Sequence, residues 1–223
     1  MSLHNLPIQK RHTLHEGIVT TLRRAILDGD FKAGEKLGQE ELAQALGVSR
    51  MPIREALRQL EKEGFLKIET HVGAIVQPFT IDDIEEIYEL RAMLEGTAIE
   101  KAMKYITVEE KMELKELNNA MEQALKGQKS EEFITLNTKF HQILRHASNG
   151  RRINTIIDML WNGLPPYSPN ILPKQMHHSI QEHHELLDAL ENNDVNRVKA
   201  ITNKHILRTR DELIEYFREK RGD

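Results

Sequence analysis

The chain has 223 residues, 39% hydrophobic and 30% charged, with a formal net charge of −4 and no cysteine. That composition suits an ordinary globular protein with room for two modest cores, and it excludes disulfides and thiolate metal sites. No stretch approaches the roughly 20 apolar residues of a membrane span, and the N-terminal MSLHNLPIQKRH has no apolar run of a secretory signal, so a cytoplasmic location and no membrane partner are expected. Residues 1–77 carry 11 Lys and Arg against 10 Asp and Glu, and the remainder 20 against 25. Binding to nucleic acid would therefore need a local basic patch rather than a basic domain.

In chain order, Leu14, Ile18, Leu22 and Ala25/Ile26 share one helical face, and Gly29 stands where that helix ends. Glu40 to Leu46 reads as a second helix closed by Gly47, and Ser49 caps a third running to about Glu63, with Pro52 harmless in its first turn. After Gly64 the β-branched segments Phe65–Glu69 and Ala74–Val76 flank a short Gly-containing loop, the pattern of a hairpin. Pro78 ends it, and Thr80 with Asp83 forms a capping box opening a helix to about Tyr105. Five further helical periods follow: Thr107–Leu125, Ser130–Ala147, Arg151–Trp161, Gln175–Leu190 and Asp194–Arg218. The Pro-rich stretch Leu164–Pro173 is the one long irregular connection, a lid or a spacer. The fold class is mainly α: a helix-turn-helix with a small β-hairpin wing over residues 10–77, a linker at 78–80, and an all-helical bundle over 81–218.

The third helix has two faces. At about 100° per residue, Ile53, Ala56, Leu57 and Leu60 form a core side, while Arg50, Arg54 and Arg58 line up beside it. Guanidinium forks so placed can grip guanine edges or phosphates. Taken alone such arginines are more often a solvated face, with Arg58 paired to Glu55 or Glu61. Following a short helix and a Gly turn, and preceding a hairpin, they instead occupy a recognition helix.

In the helical half, Asn137 and His141 lie one turn apart beside Phe133, Phe140 and Leu144; His183 shares a face with Ile180 and Leu187, and His205 aligns with Val198 and Ile201. A single inward histidine is usually a core residue. Three on three helices suit a divalent metal, zinc or nickel. Arg91 and Glu95 also share an apolar face, either as a structural ion pair or as a carboxylate-binding arginine oriented by its neighbour.

The run Leu22–Val76, and above all Gly47-Val48-Ser49-Arg50-Met51-Pro52-Ile53-Arg54-Glu55-Ala56-Leu57, closely resembles the DNA-binding domain of the GntR family of bacterial regulators. The resemblance implies DNA contacts at Ser49, Arg50, Met51, Pro52 and Arg54, and at the wing through Thr70, His71 and Gly73. Glu40 stands where some members carry a DNA-contacting arginine. Residues 81–218 resemble the effector domain of the FadR subfamily through Tyr88–Arg91 with Glu95, Asn137–His141, Glu182-His183 and Asn203–His205. The family's Asp and three His ligands carry over to Asn137, His141, His183 and His205, with an amide in place of the carboxylate. The expectation is a non-enzymatic, homodimeric regulator of palindromic double-stranded operator DNA, with a metal and a small carboxylate effector bound near Arg91 and Glu95. The alternatives are a metal-dependent hydrolase or lyase carrying a DNA-binding module, and a regulator that senses the metal itself.

Overall fold

A computed structural model describes residues 14–78, 80–163 and 173–221. Residues 164–172, the bulk of the Pro-rich connection, lie outside the described residues, as does Phe79 within the expected linker. Packing separates the chain into two units, residues 1–79 and 80–223.

In the first unit, α1 (Leu14–Asp28) buries Ile18, Val19, Leu22 and Ile26 and stops at Gly29, whose φ of +83° few L side chains adopt. A two-residue strand β1 (Lys36–Leu37) precedes α2 (Gln39–Leu46). Gly47 turns the chain with φ +65°, its backbone N–H returning to Gln44 O, and α3 (Arg50–Lys62) follows. Ile53, Ala56, Leu57 and Leu60 of α3 are at most 1% exposed, as an amphipathic face packed on α1 and α2 requires. Strands β2 (Leu66–Glu69) and β3 (Gly73–Val76) form the hairpin, with Lys67 opposite Ile75 and Ile68 opposite Ala74. β1 adds to the other edge of β3, giving the order β1-β3-β2. That third strand is absent from the sequence reading: two residues carry no periodicity. A buried Arg23–Glu63 ion pair of 2.7 Å ties α1 to the end of α3.

Among the described residues the second unit is entirely helical: α4 (Ile81–Ala102), α5 (Val108–Lys126), α6 (Ser130–His146), α7 (Arg151–Gly163), α8 (Pro173–Glu191) and α9 (Val195–Arg221). Both α4 and α5 begin with a complete capping box, Thr80 with Asp83 and Thr107 with Glu110, which satisfies donors that would otherwise be orphaned. α9 runs along α4 and α8, and α5 packs on α6 and α8, around a core that includes Leu114, Met121, Phe133, Phe140 and Leu190. α4 and α9 approach closely at Gly96, where a Cβ would lie 2.9 Å from Asn203 Oδ1. No helix among the described residues is long and apolar enough to cross a membrane.

Candidate functional site

The first unit presents its candidate residues outward. Ser49, Arg50, Met51 and Arg54 are exposed, Pro52 is half-buried in the first turn of α3, and Thr70 and His71 are exposed at the hairpin turn, with Gly73 half-buried. Ser49 holds the N-cap backbone geometry (φ −75°, ψ 165°), but its hydroxyl makes no capping hydrogen bond. An exposed, uncommitted hydroxyl at a helix start, beside backbone N–H groups that lack intrahelical partners, is an arrangement suited to a phosphate. His71 adopts φ +64°, which sharpens the turn and carries the imidazole to its tip. Arg50 is ion-paired with Glu40 of α2, and both side chains are more than half exposed.

In the second unit, α6, α8 and α9 bring His141, His183 and His205 together. Their ring centroids form a nearly equilateral triangle with sides of 5.2, 5.1 and 5.2 Å, and each contributes a nitrogen within 4.8 Å of the others. Phe140 stacks on His183 at 4.1 Å and helps fix its plane. Burial, and secondarily the neighbouring imidazoles, push the pKa of His141 and of His183 well below the usual histidine value, so both rings are neutral with a lone pair to offer. His141 Nε2 and both ring nitrogens of His183 are buried without a hydrogen-bond partner among the described residues; so is Oδ1 of Asn137, one turn before His141. Orphaned polar atoms of this kind are costly in a finished core, and the lone pair that each neutral ring keeps, with the amide oxygen, suits a cation. The arrangement is one that can hold a metal ion.

His205 is oriented by a carboxylate. Its Nδ1 lies 2.7 Å from Glu182 Oε2, and Glu182 also accepts from Arg208 Nε at 2.9 Å and Nη2 at 2.6 Å. Burial would raise the pKa of Glu182, but these hydrogen bonds outweigh it and hold it at about 2. An ionised carboxylate only accepts, so Nδ1 carries the proton and Nε2 remains free for the triangle.

Arg91 and Glu95, 6% and 4% exposed, are hydrogen-bonded to each other at 2.9 Å. Glu95 Oε1 also accepts from Trp161 Nε1 at 2.8 Å, and the Arg91 guanidinium lies 4.7 Å from the Tyr88 ring and 4.4 Å from that of Trp161. Burial opposes the charge on Arg91, but Glu95 and Tyr88 more than compensate and raise its pKa. The pair is therefore satisfied as it stands. A cavity with about 440 Å³ of unfilled space, including its opening to solvent, is walled by Glu95, the three histidines, Glu182 and Arg145, with aliphatic side chains between them. Arg91 is not among its lining residues.

Sequence reasoning missed Arg145, Trp161 and Arg208. Arg145 carried a signal, being one turn beyond His141 on α6; Trp161 and Arg208 act through contacts between helices that spacing does not encode.

The fold and this geometry define a winged-helix protein with a histidine-lined helical domain, and comparison with known proteins refines that class. Residues 14–76 match "Bacterial regulatory proteins, gntR family" and residues 86–208 match the "FCD domain". The chain is 38% identical over 138 residues to the uncharacterized HTH-type transcriptional regulator YdhC of Bacillus subtilis, a match spanning 61% of this chain and 62% of that protein. It is 30% identical to the gluconate operon transcriptional repressor of Bacillus licheniformis, over 84% of this chain and 75% of the repressor. The solved structure of Escherichia coli McbR superposes with a TM-score of 0.72 at 25% identity, covering 93% of this chain and 99% of McbR. The chain belongs to the gntR family of bacterial regulatory proteins, in the FadR-like subfamily whose members pair this winged helix with an FCD domain. The families and relatives it matches are transcription regulators, not enzymes.

Proposed function

We propose that this chain is an operator-binding transcription regulator in which residues 10–77 read DNA and residues 81–218 sense a small organic acid through a bound divalent metal. The observation that carries the sensing half is the triangle of buried imidazoles with unpartnered nitrogens. His141, His183 and His205 would hold the ion, with Asn137 Oδ1 as a weaker oxygen donor than a carboxylate. Nitrogen donors without thiolates favour zinc or nickel. When bound, the ion supplies a Lewis-acidic position for the carboxylate of an effector. Glu182 fixes the tautomer of His205. Glu95 would stand on the wall of the effector site with Arg91 behind it, neutralising its charge so that an anion can enter beside it.

For DNA, Arg50 and Arg54 of α3 would reach base edges or phosphates, Ser49, Met51 and Pro52 would line the helix entry, and Thr70, His71 and Gly73 of the wing would approach the neighbouring groove. A homodimer would double this surface onto a palindrome. Effector and operator affinities must then be coupled reciprocally. The test is fluorescence anisotropy on a duplex selected from a random pool, with protein either zinc-loaded or EDTA-treated, against acetate, lactate, succinate and gluconate. Gluconate is included because relatives are gluconate operon repressors. The reading expects an acid that changes operator affinity in the zinc-loaded protein alone; affinity that follows zinc and ignores every acid would make the metal itself the signal.

A further inference from the structure

Arg145 is 5% exposed, and its place one turn from His141 on α6 puts it on the same cavity wall as the imidazoles. Nη2 donates to Asp158 Oδ1 at 3.2 Å, yet Nε and Nη1 are buried with no hydrogen-bond partner among the described residues. Trp161, whose ring centre is 4.8 Å from the guanidinium carbon, softens the charge without replacing two in-plane acceptors. Glu95 Oε1, the nearby alternative, is already shared by Arg91 and Trp161. An arginine buried with two idle donors is costly unless something else accepts from them.

We propose that Arg145 receives a second anionic group, so that the cavity takes a short-chain acid with two anionic ends, one toward the imidazoles and one toward Nε and Nη1 of Arg145. This rests on the metal-and-acid reading above and names its ligand class. One helical turn separates the two receptors by about 6 Å along the α6 axis, the reach of a short carbon chain. Leu144, Leu186, Ile201 and Ile206 line the cavity and suit methylene groups. A guanidinium N–H donates to a carboxylate or a phosphate oxygen equally, so the second group is either.

The test is titration calorimetry of the full chain with succinate, phosphoglycolate and butyrate, in zinc and again in EDTA. In the wild type, succinate or phosphoglycolate is expected to bind at least ~10-fold more tightly than butyrate, and which of the two prevails identifies the second group. Arg145→Met should bring all three to within about twofold of one another while zinc affinity stays unchanged. Equal binding of the three by wild type, no binding of any, or a preference retained in Arg145→Met would overturn the proposal. Should Arg145→Met fail to fold, Asp158→Asn decides, because it alters a half-exposed side chain that competes for the same guanidinium: tighter binding of the doubly charged acids supports the proposal, and unchanged binding contradicts it. Failure of wild type to bind zinc would contradict the metal reading alone, since binding of an anionic group to Arg145, lost in Arg145→Met, is also read in EDTA.

Discussion

Glu40, in the first turn of α2, is ion-paired with Arg50, the first residue of α3. An exposed pair of this kind contributes only ~0–1 kcal/mol to stability, so its main consequence falls on DNA binding. If α3 reads DNA as proposed, operator phosphates compete with this carboxylate for the Arg50 guanidinium. Glu40→Gln is expected to tighten operator binding by about 2- to 10-fold and to steepen its salt dependence, with little change in melting temperature. Anisotropy titrations at several salt concentrations check this; unchanged affinity would mean that Glu40 lies away from the DNA.

Arg54 is exposed one turn further along α3. Arg54→Ala and Arg50→Ala should each cost on the order of 1–3 kcal/mol of discrimination between the selected operator and scrambled DNA. If both variants discriminate like wild type, α3 is not the reading helix.

The Thr80 and Asp83 capping box opens the helix that carries Arg91 and Glu95. Thr80→Ala is expected to destabilise the second unit by ~1 kcal/mol, read as a lower midpoint in chemical denaturation.

Most of this architecture was legible because its signals are local. The spacing of Ile53, Ala56, Leu57 and Leu60 gave α3 its buried face, Gly47 its entry turn, and Thr80 with Asp83 the start of α4. The same spacing turned His141 and His183 inward. What stayed hidden depends on tertiary pairing. β1 exists only because Lys36 and Leu37 find an edge of β3, and the hydrogen bond from Trp161 to Glu95 joins residues 66 apart in sequence. The choice between Arg91 as a structural partner and as a free anion receptor was likewise open in sequence; in the folded chain Arg91 is bonded to Glu95, whereas Arg145 keeps two donors without a partner among the described residues.

Glu182 holds the tautomer of His205 by a 2.7 Å hydrogen bond while remaining outside the imidazole triangle. Glu182→Gln keeps the shape and removes the charge, and zinc affinity is expected to fall by about 10- to 100-fold. Asn137→Asp should act in the opposite direction by supplying a carboxylate donor. Competition against a chromogenic zinc chelator measures both; if neither substitution alters affinity, zinc is bound elsewhere.

The most direct test of the central claim is metal content by mass spectrometry after equilibrium dialysis against zinc, compared between wild type and His183→Ala. About one zinc per chain is expected in wild type and near none in the variant, with both proteins folded by circular dichroism. Wild type free of zinc, or His183→Ala retaining a full equivalent, would contradict it.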